Sequence, residues 1–108
     1  MSREERIAKN ESLFREVNER IEEAARRTAL LDQEAGFVCE CAEITCTERL
    51  PITLVDYEQA RSDPTWFVVL PGHERPNVER IVERLGGCLI VEKLGEAGHE
   101  AEKLDPRS

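Results

Sequence analysis

The stretch FVCECAEITC, Phe37 to Cys46, sets three cysteines within ten residues of a 108-residue chain that has only four. Alternation from Phe37 to Cys41 predicts a strand with Cys39 and Cys41 on one face, because side chains two apart on a strand point the same way. Four residues then separate Cys41 from Cys46, enough for a turn and a returning strand over 46–50 that brings a third thiol to the same place. The N-terminus, MSREERIAKNE, has no apolar stretch behind its charges. No export signal is therefore expected, and the thiols are expected to be reduced in a cytoplasmic protein. Clustered reduced thiols point to metal ligation or thiol chemistry ahead of disulfides.

Composition adds weight to a metal. Charged residues make up 35% of the chain and aromatic residues 5%, so its single core must be small. A small core needs a metal, a disulfide or a partner subunit to hold it. The net charge of −8 argues against a nucleic-acid binder, which needs a basic surface, and against docking on anionic membranes. It leaves a basic protein as the kind of partner to expect. The first 35 residues carry seven basic and nine acidic side chains and the remainder eight and fourteen, so most of the excess lies in the cysteine-bearing part. No run approaches the roughly 20 apolar residues of a membrane span.

Zinc in closed structural sites takes four Cys or His ligands in a tetrahedron. Three cysteines leave one position, for which the sequence offers His73, Cys88 and His99. His73 is favoured: it follows Pro71-Gly72, a sharp turn directly after the apolar run 66–70, where an imidazole can be aimed back at a neighbouring strand end. Glu74 or a backbone carbonyl would orient it. Cys88, in Gly86-Gly87-Cys88-Leu89-Ile90-Val91, reads more simply as a small buried hydrophobe at the start of a strand, an all-cysteine site being the alternative. Three thiolates exceed the charge of zinc by one, and nearby amides or Arg49 would balance it. A catalytic zinc is not indicated, since His73-Glu74 is followed by Arg75-Pro76-Asn77 and no H-E-x-x-H is present. A Cys46–His73 nucleophile pair would leave two cysteines unexplained.

Around this site the chain divides into a helix (1–35), a zinc-binding α+β domain (36–94) and a polar, mobile tail (95–108). Ser2 and Glu5 form a capping box, and residues 2–31 read as one helix with no Gly or Pro from Arg3 to Arg27. Glu precedes a basic residue by four at Glu11–Arg15, Glu16–Arg20, Glu22–Arg26 and Glu23–Arg27, among others. Ile7, Phe14, Val17, Ile21, Ala24 and Leu31 fall on one apolar stripe. It is read first as the face that packs on the chain's own core, and second as a coiled-coil or partner-docking seam with Asn10 setting register. Phe14, Val17 and Ile21 are the candidate partner-binding residues, leaving open a monomer or a helix-mediated homodimer. Thr53 caps a short helix over 54–61, with Asp56 placed for the reciprocal bond. Residues 66–70 read as a buried strand, and 80–84 and 88–93 as a hairpin about Gly86-Gly87, although Val78, Ile81, Val82 and Leu85 also fit helical spacing.

The stretches NESLFREVNERIEE, FVCECAEITCTERLPIT, DYEQARSDPTWFVVLPGHE and VERIVERLGGCLIVEK run from Asn10 to Lys93. Together they resemble a family of short zinc-binding proteins, mostly from actinobacteria and related bacteria, marked by F-x-C-x-C-x4-C and P-G-H-E. The resemblance implies that Cys39, Cys41, Cys46 and His73 belong to one site. It departs at Cys88, where an aromatic residue is expected, and it lends no activity. The expectation is a non-catalytic zinc protein acting as an interaction or regulatory module. The alternatives are a redox sensor that releases zinc on oxidation, with Cys88 as resolving thiol, and a small metalloenzyme.

Overall fold

The computed structural model describes residues 3–28, 33–41, 43 and 45–107. A long N-terminal helix, α1 (Arg3–Arg27), is followed by α2 (Leu54–Ala60), β1 (Trp66–Val69), β2 (Glu79–Leu85), β3 (Cys88–Lys93) and α3 (Gly95–Lys103). The strands form one antiparallel sheet in the order β1-β3-β2, so the fold is α+β as expected. Among the described residues no helix is long and apolar enough to cross a membrane.

The helical reading of the N-terminal stretch holds over Arg3–Arg27; Ser2 and residues 29–31 lie outside the described residues. Glu16–Arg20, Glu22–Arg26 and Glu23–Arg27 form ion pairs at 4.0, 2.7 and 3.7 Å. Which face turns inward is the surprise. The buried residues are Glu11, Ser12, Arg15, Asn18, Glu22 and Ala25, a largely polar stripe at helical spacing. The apolar stripe is divided instead: Ile21 packs against the core, Phe14 is half-buried, and Val17 is 40% exposed beside Leu13 at 50%. Glu11 and Arg15 do not pair with each other. Each meets a different element, and those contacts are why a polar face can be buried at all. The Arg15 guanidinium lies 4.1 Å over the Phe67 ring and donates to the carbonyls of Pro64 (2.6 Å) and Ala101 (2.8 Å). It thereby ties α1 to the entry of β1 and to the last turn of α3.

Glu11 reaches the fully buried ammonium of Lys93 on β3, which also holds Glu79 of β2. Two carboxylates share one ammonium away from water, so burial pushes Glu11 up to about 7 despite the attraction of Lys93. Between about 4.5 and 7 the folded protein keeps a proton that the unfolded chain has released, and stability falls as pH rises through that window. Glu11→Gln is expected to remove a slope of up to roughly 1.4 kcal/mol per pH unit, read as the difference from the native chain in denaturant titrations of metal-loaded protein. Equal slopes for the two proteins would refute it.

The Thr53 cap and its reciprocal bond with Asp56 are both present at α2. The 78–85 ambiguity resolves as strand: Leu85 faces Cys88 across Gly86-Gly87, and a bulge between Ile81 and Glu83 leaves Val82 out of register. Helical spacing here reflects that one-residue slip.

The expected mobile tail is corrected by the structure. Residues 95–103 form α3, with Ala97, Gly98 and Ala101 buried. Small size makes this possible: a Cβ on Gly98 would stand 2.8 Å from the Lys93 carbonyl oxygen, so the helix rests directly on the end of β3. Beyond it, Arg107 donates to Glu19, Glu22 and Glu58, while Arg61 bridges Glu19 and Asp105.

Candidate metal centre

Phe37, fully buried, stacks on Tyr57 with ring centroids 4.4 Å apart and anchors the cysteine run to α2. The run and its return are antiparallel, as expected, but are not regular strands. Cys39 N–H donates to Glu48 O (3.1 Å), Leu50 N–H donates to Phe37 O (2.7 Å), and a single bridge joins Val38 to Arg49. On the other side a helix side chain stands in for a strand. Asn18 accepts from Val38 N–H (2.7 Å) and donates to Val38 O (2.8 Å), while Glu40 N–H donates to Val68 O (2.9 Å) on β1. The backbone around Cys39 and Cys41 is thus held from three directions.

Glu40, between those two cysteines, turns its carboxylate into the interior, where it is fully buried. It accepts from Tyr57 OH (2.7 Å), Asn18 Nδ2 (2.9 Å) and Val68 N–H (3.0 Å). Burial pushes its pKa up, and these three donors pull it back. Alternation alone assigned Glu40 to the strand face opposite the cysteines and gave it no role. It is the hub joining α1, α2 and β1 beneath the site.

The imidazole arrives on the Pro-Gly-His turn. His73 N–H donates to Leu70 O at 3.0 Å and Gly72 has φ +93°, the pattern of a type II turn with Pro at its second and Gly at its third position. A side chain at Gly72 would be strained in that conformation. Glu74 holds the turn by accepting from Gly72 N–H (2.7 Å), a different task from the expected support of the imidazole. Arg49, expected as a counter-charge, donates instead to Gly36 O (2.8 Å).

Cys39, Cys41, Cys46 and His73 come together with every donor atom within 4.8 Å of the others. His73 Nδ1 lies 3.7 Å from Cys39 Sγ and 3.8 Å from Cys46 Sγ. Zinc–sulfur and zinc–nitrogen bonds of about 2.3 and 2.0 Å give a tetrahedron with sulfur–nitrogen edges of roughly 3.6 Å, so these residues fit such an ion with little movement. Each sulfur also receives a backbone N–H: Cys39 from Leu70 at 3.3 Å, Cys41 from Glu43 and Cys46 from Glu48. Such donors stabilise thiolate charge and are the amides expected from sequence alongside Arg49. The contact between the Cys39 and Cys41 sulfurs draws Cys41 down to about 4 and pushes Cys39 up. Cys39 and Cys41 are buried; Cys46 and His73 are half-exposed, and a cleft of about 330 Å³ opens over Cys41, His73 and Arg75.

Cys88 and His99 are not part of the cluster. Cys88 is buried at the start of β3, where burial and the nearby charges of Asp56 and Glu34 push its thiol up to about 11. His99 is exposed on α3 beside Glu96 and Lys103. Comparison with protein families, with curated proteins and with solved structures finds no match to this chain.

Proposed function

We propose that this chain is a small non-catalytic zinc protein whose Cys39, Cys41, Cys46 and His73 hold a structural ion, and that it acts as an interaction or regulatory module. The observation that carries the reading is the complete donor set: four side chains, three of them sulfurs, gathered to tetrahedral distances. Four protein ligands leave zinc no open position for a substrate or a reactive water. Sulfur-rich sets also select zinc over magnesium, calcium or manganese, which take oxygen.

For partner contact the reading favours the outer side of α1, where Leu13 and Val17 are exposed beside half-buried Phe14. Ile21, the third candidate on that stripe, is committed to the core cluster. A partly basic protein surface suits a chain of charge −8. A redox-sensing role has one observation in its favour: Cys46 is half-exposed, so one ligand can be reached by an oxidant without unfolding. The high pKa and burial of Cys88 make it a poor resolving thiol.

Elemental analysis of protein purified without chelators, repeated after mild peroxide, tests both readings. A single zinc per chain that survives peroxide is expected. Its absence before treatment refutes the zinc site, and its release with disulfide formation moves the assignment to the sensor.

A further inference from the structure

β2 is one of the two outer strands of the sheet, and among the described residues no backbone hydrogen bond from another segment reaches it between Arg80 and Leu85. The hairpin decides which groups face outward. Leu85 and Cys88 close the two-residue turn and bond to each other, so alternation directs the N–H and C=O of Arg84 away from β3. At the other end Leu94 N–H donates to Val78 O, which makes Val78 a bonded position and turns Glu79 outward. The Glu79 N–H is taken by Arg75 O within its own turn, but its carbonyl faces out. The bulge at Val82 is what lets Glu79 and Arg84, five residues apart, face the same way. Ile81, between them, is 47% exposed.

The side chains of Arg80-Ile81-Val82-Glu83 on this edge complement their own reversal. In the antiparallel register that sets Arg80 against Glu83 of a second copy, Ile81 meets Val82 and the backbone of Glu79 meets that of Arg84, while the Glu79 carboxylate stays buried on Lys93. Arg80 and Glu83 share one face of the sheet, since their partners Glu92 and Ile90 are two apart on β3. Arg80 already pairs with Glu92 at 2.9 Å, so the register builds a row of alternating sign, Glu92–Arg80–Glu83, across the two copies. A slip of one residue one way sets Arg80 against Arg84; a slip the other way sets Arg80 against Val82 and leaves Glu83 without a cation. The edge charges therefore attract in one register and lose that pairing when it slips.

We propose that the outer edge of β2 pairs with β2 of a second copy of this chain, making one six-stranded antiparallel sheet across a two-fold axis. The interaction is separate from the metal centre and from the exposed side of α1. Sedimentation of the zinc-loaded chain over a range up to submillimolar concentration should show a reversible dimer. Glu83→Arg or Arg80→Glu alone should weaken it by roughly tenfold or more, because each change turns two attractive pairs repulsive. The double reversal R80E/E83R restores opposite signs and should recover the native dissociation constant to within a few-fold. A chain that stays monomeric, single reversals without effect, or a dimer lost with Val17→Glu on α1 and not with Glu83→Arg would each overturn the proposal. Both positions are exposed, and matched melting temperatures confirm that the variants are folded.

Discussion

Chelation of the metal is expected to unfold the protein, not merely to loosen it. The segment 37–50 carries Phe37, Cys39, Cys41 and Leu50 into the core without forming a regular strand. Its place depends on a single bridge, on contacts from Asn18 and β1 and, in the function proposed above, on an ion that would join it to the turn bearing His73. Structural zinc contributes about 10–16 kcal/mol in comparable small domains, against a total stability of about 5–15 kcal/mol for a folded domain. Cys41→Ser should therefore abolish the cooperative melt and leave a chain that does not regain it on adding zinc. His73→Ala should be milder, because the imidazole is half-exposed and a water can take its coordination place. Circular dichroism with zinc titration checks both. A cooperative melt unchanged by a strong chelator would remove the structural role from the metal.

Glu40→Ala carries the second large expectation. Three buried donors, Tyr57 OH, Asn18 Nδ2 and Val68 N–H, would lose their acceptor together. With about 1–3 kcal/mol for each buried group left unsatisfied, a loss of about 4 kcal/mol or more is expected in denaturant unfolding. Because Glu40 lies between two ligands and braces their backbone, zinc affinity should fall by roughly 10–100-fold in competition with a chelator dye. Glu40→Gln keeps the shape and one acceptor oxygen but presents an amide NH2 to at least one of the donors, so it should fall between the native chain and Glu40→Ala. A double-mutant cycle with Asn18→Ala should be non-additive by at least about 0.5 kcal/mol, since the pair shares one hydrogen bond. A Glu40→Ala protein of native stability and native zinc affinity would disprove its bracing role.

The clustering of Cys39, Cys41, Cys46 and His73 was legible because its chemistry is local. Cys39, Cys41 and Cys46 lie within eight positions of one another, and the turn that delivers His73 is written in Pro71-Gly72 itself. The hairpin about Gly86-Gly87 and the Thr53–Asp56 cap were legible for the same reason. The inward face of α1 was not. Its apolar stripe was the visible signal, whereas Glu11, Arg15 and Asn18 are buried because of residues 20 to 86 positions away. Hydrophobic periodicity cannot register a helix face satisfied by carbonyls and charges that only the folded chain supplies. α3 escaped for a related reason. Its buried positions are Ala and Gly, whose contribution is closeness of approach to Lys93, and a hydropathy reading gives smallness no weight.

The grip of Arg15 on the Ala101 carbonyl, and of Arg107 on Glu19 and Glu22, also sets an order in time. During synthesis α1 precedes all its partners, and two of them, Lys93 for Glu11 and Ala101 for Arg15, emerge well after His73. The four clustered donors are all available while Arg15 still lacks its Ala101 contact and Glu11 still lacks Lys93. A nascent chain can therefore gather the four donors early, with Glu11 and Arg15 closing onto Lys93 and Ala101 only afterwards.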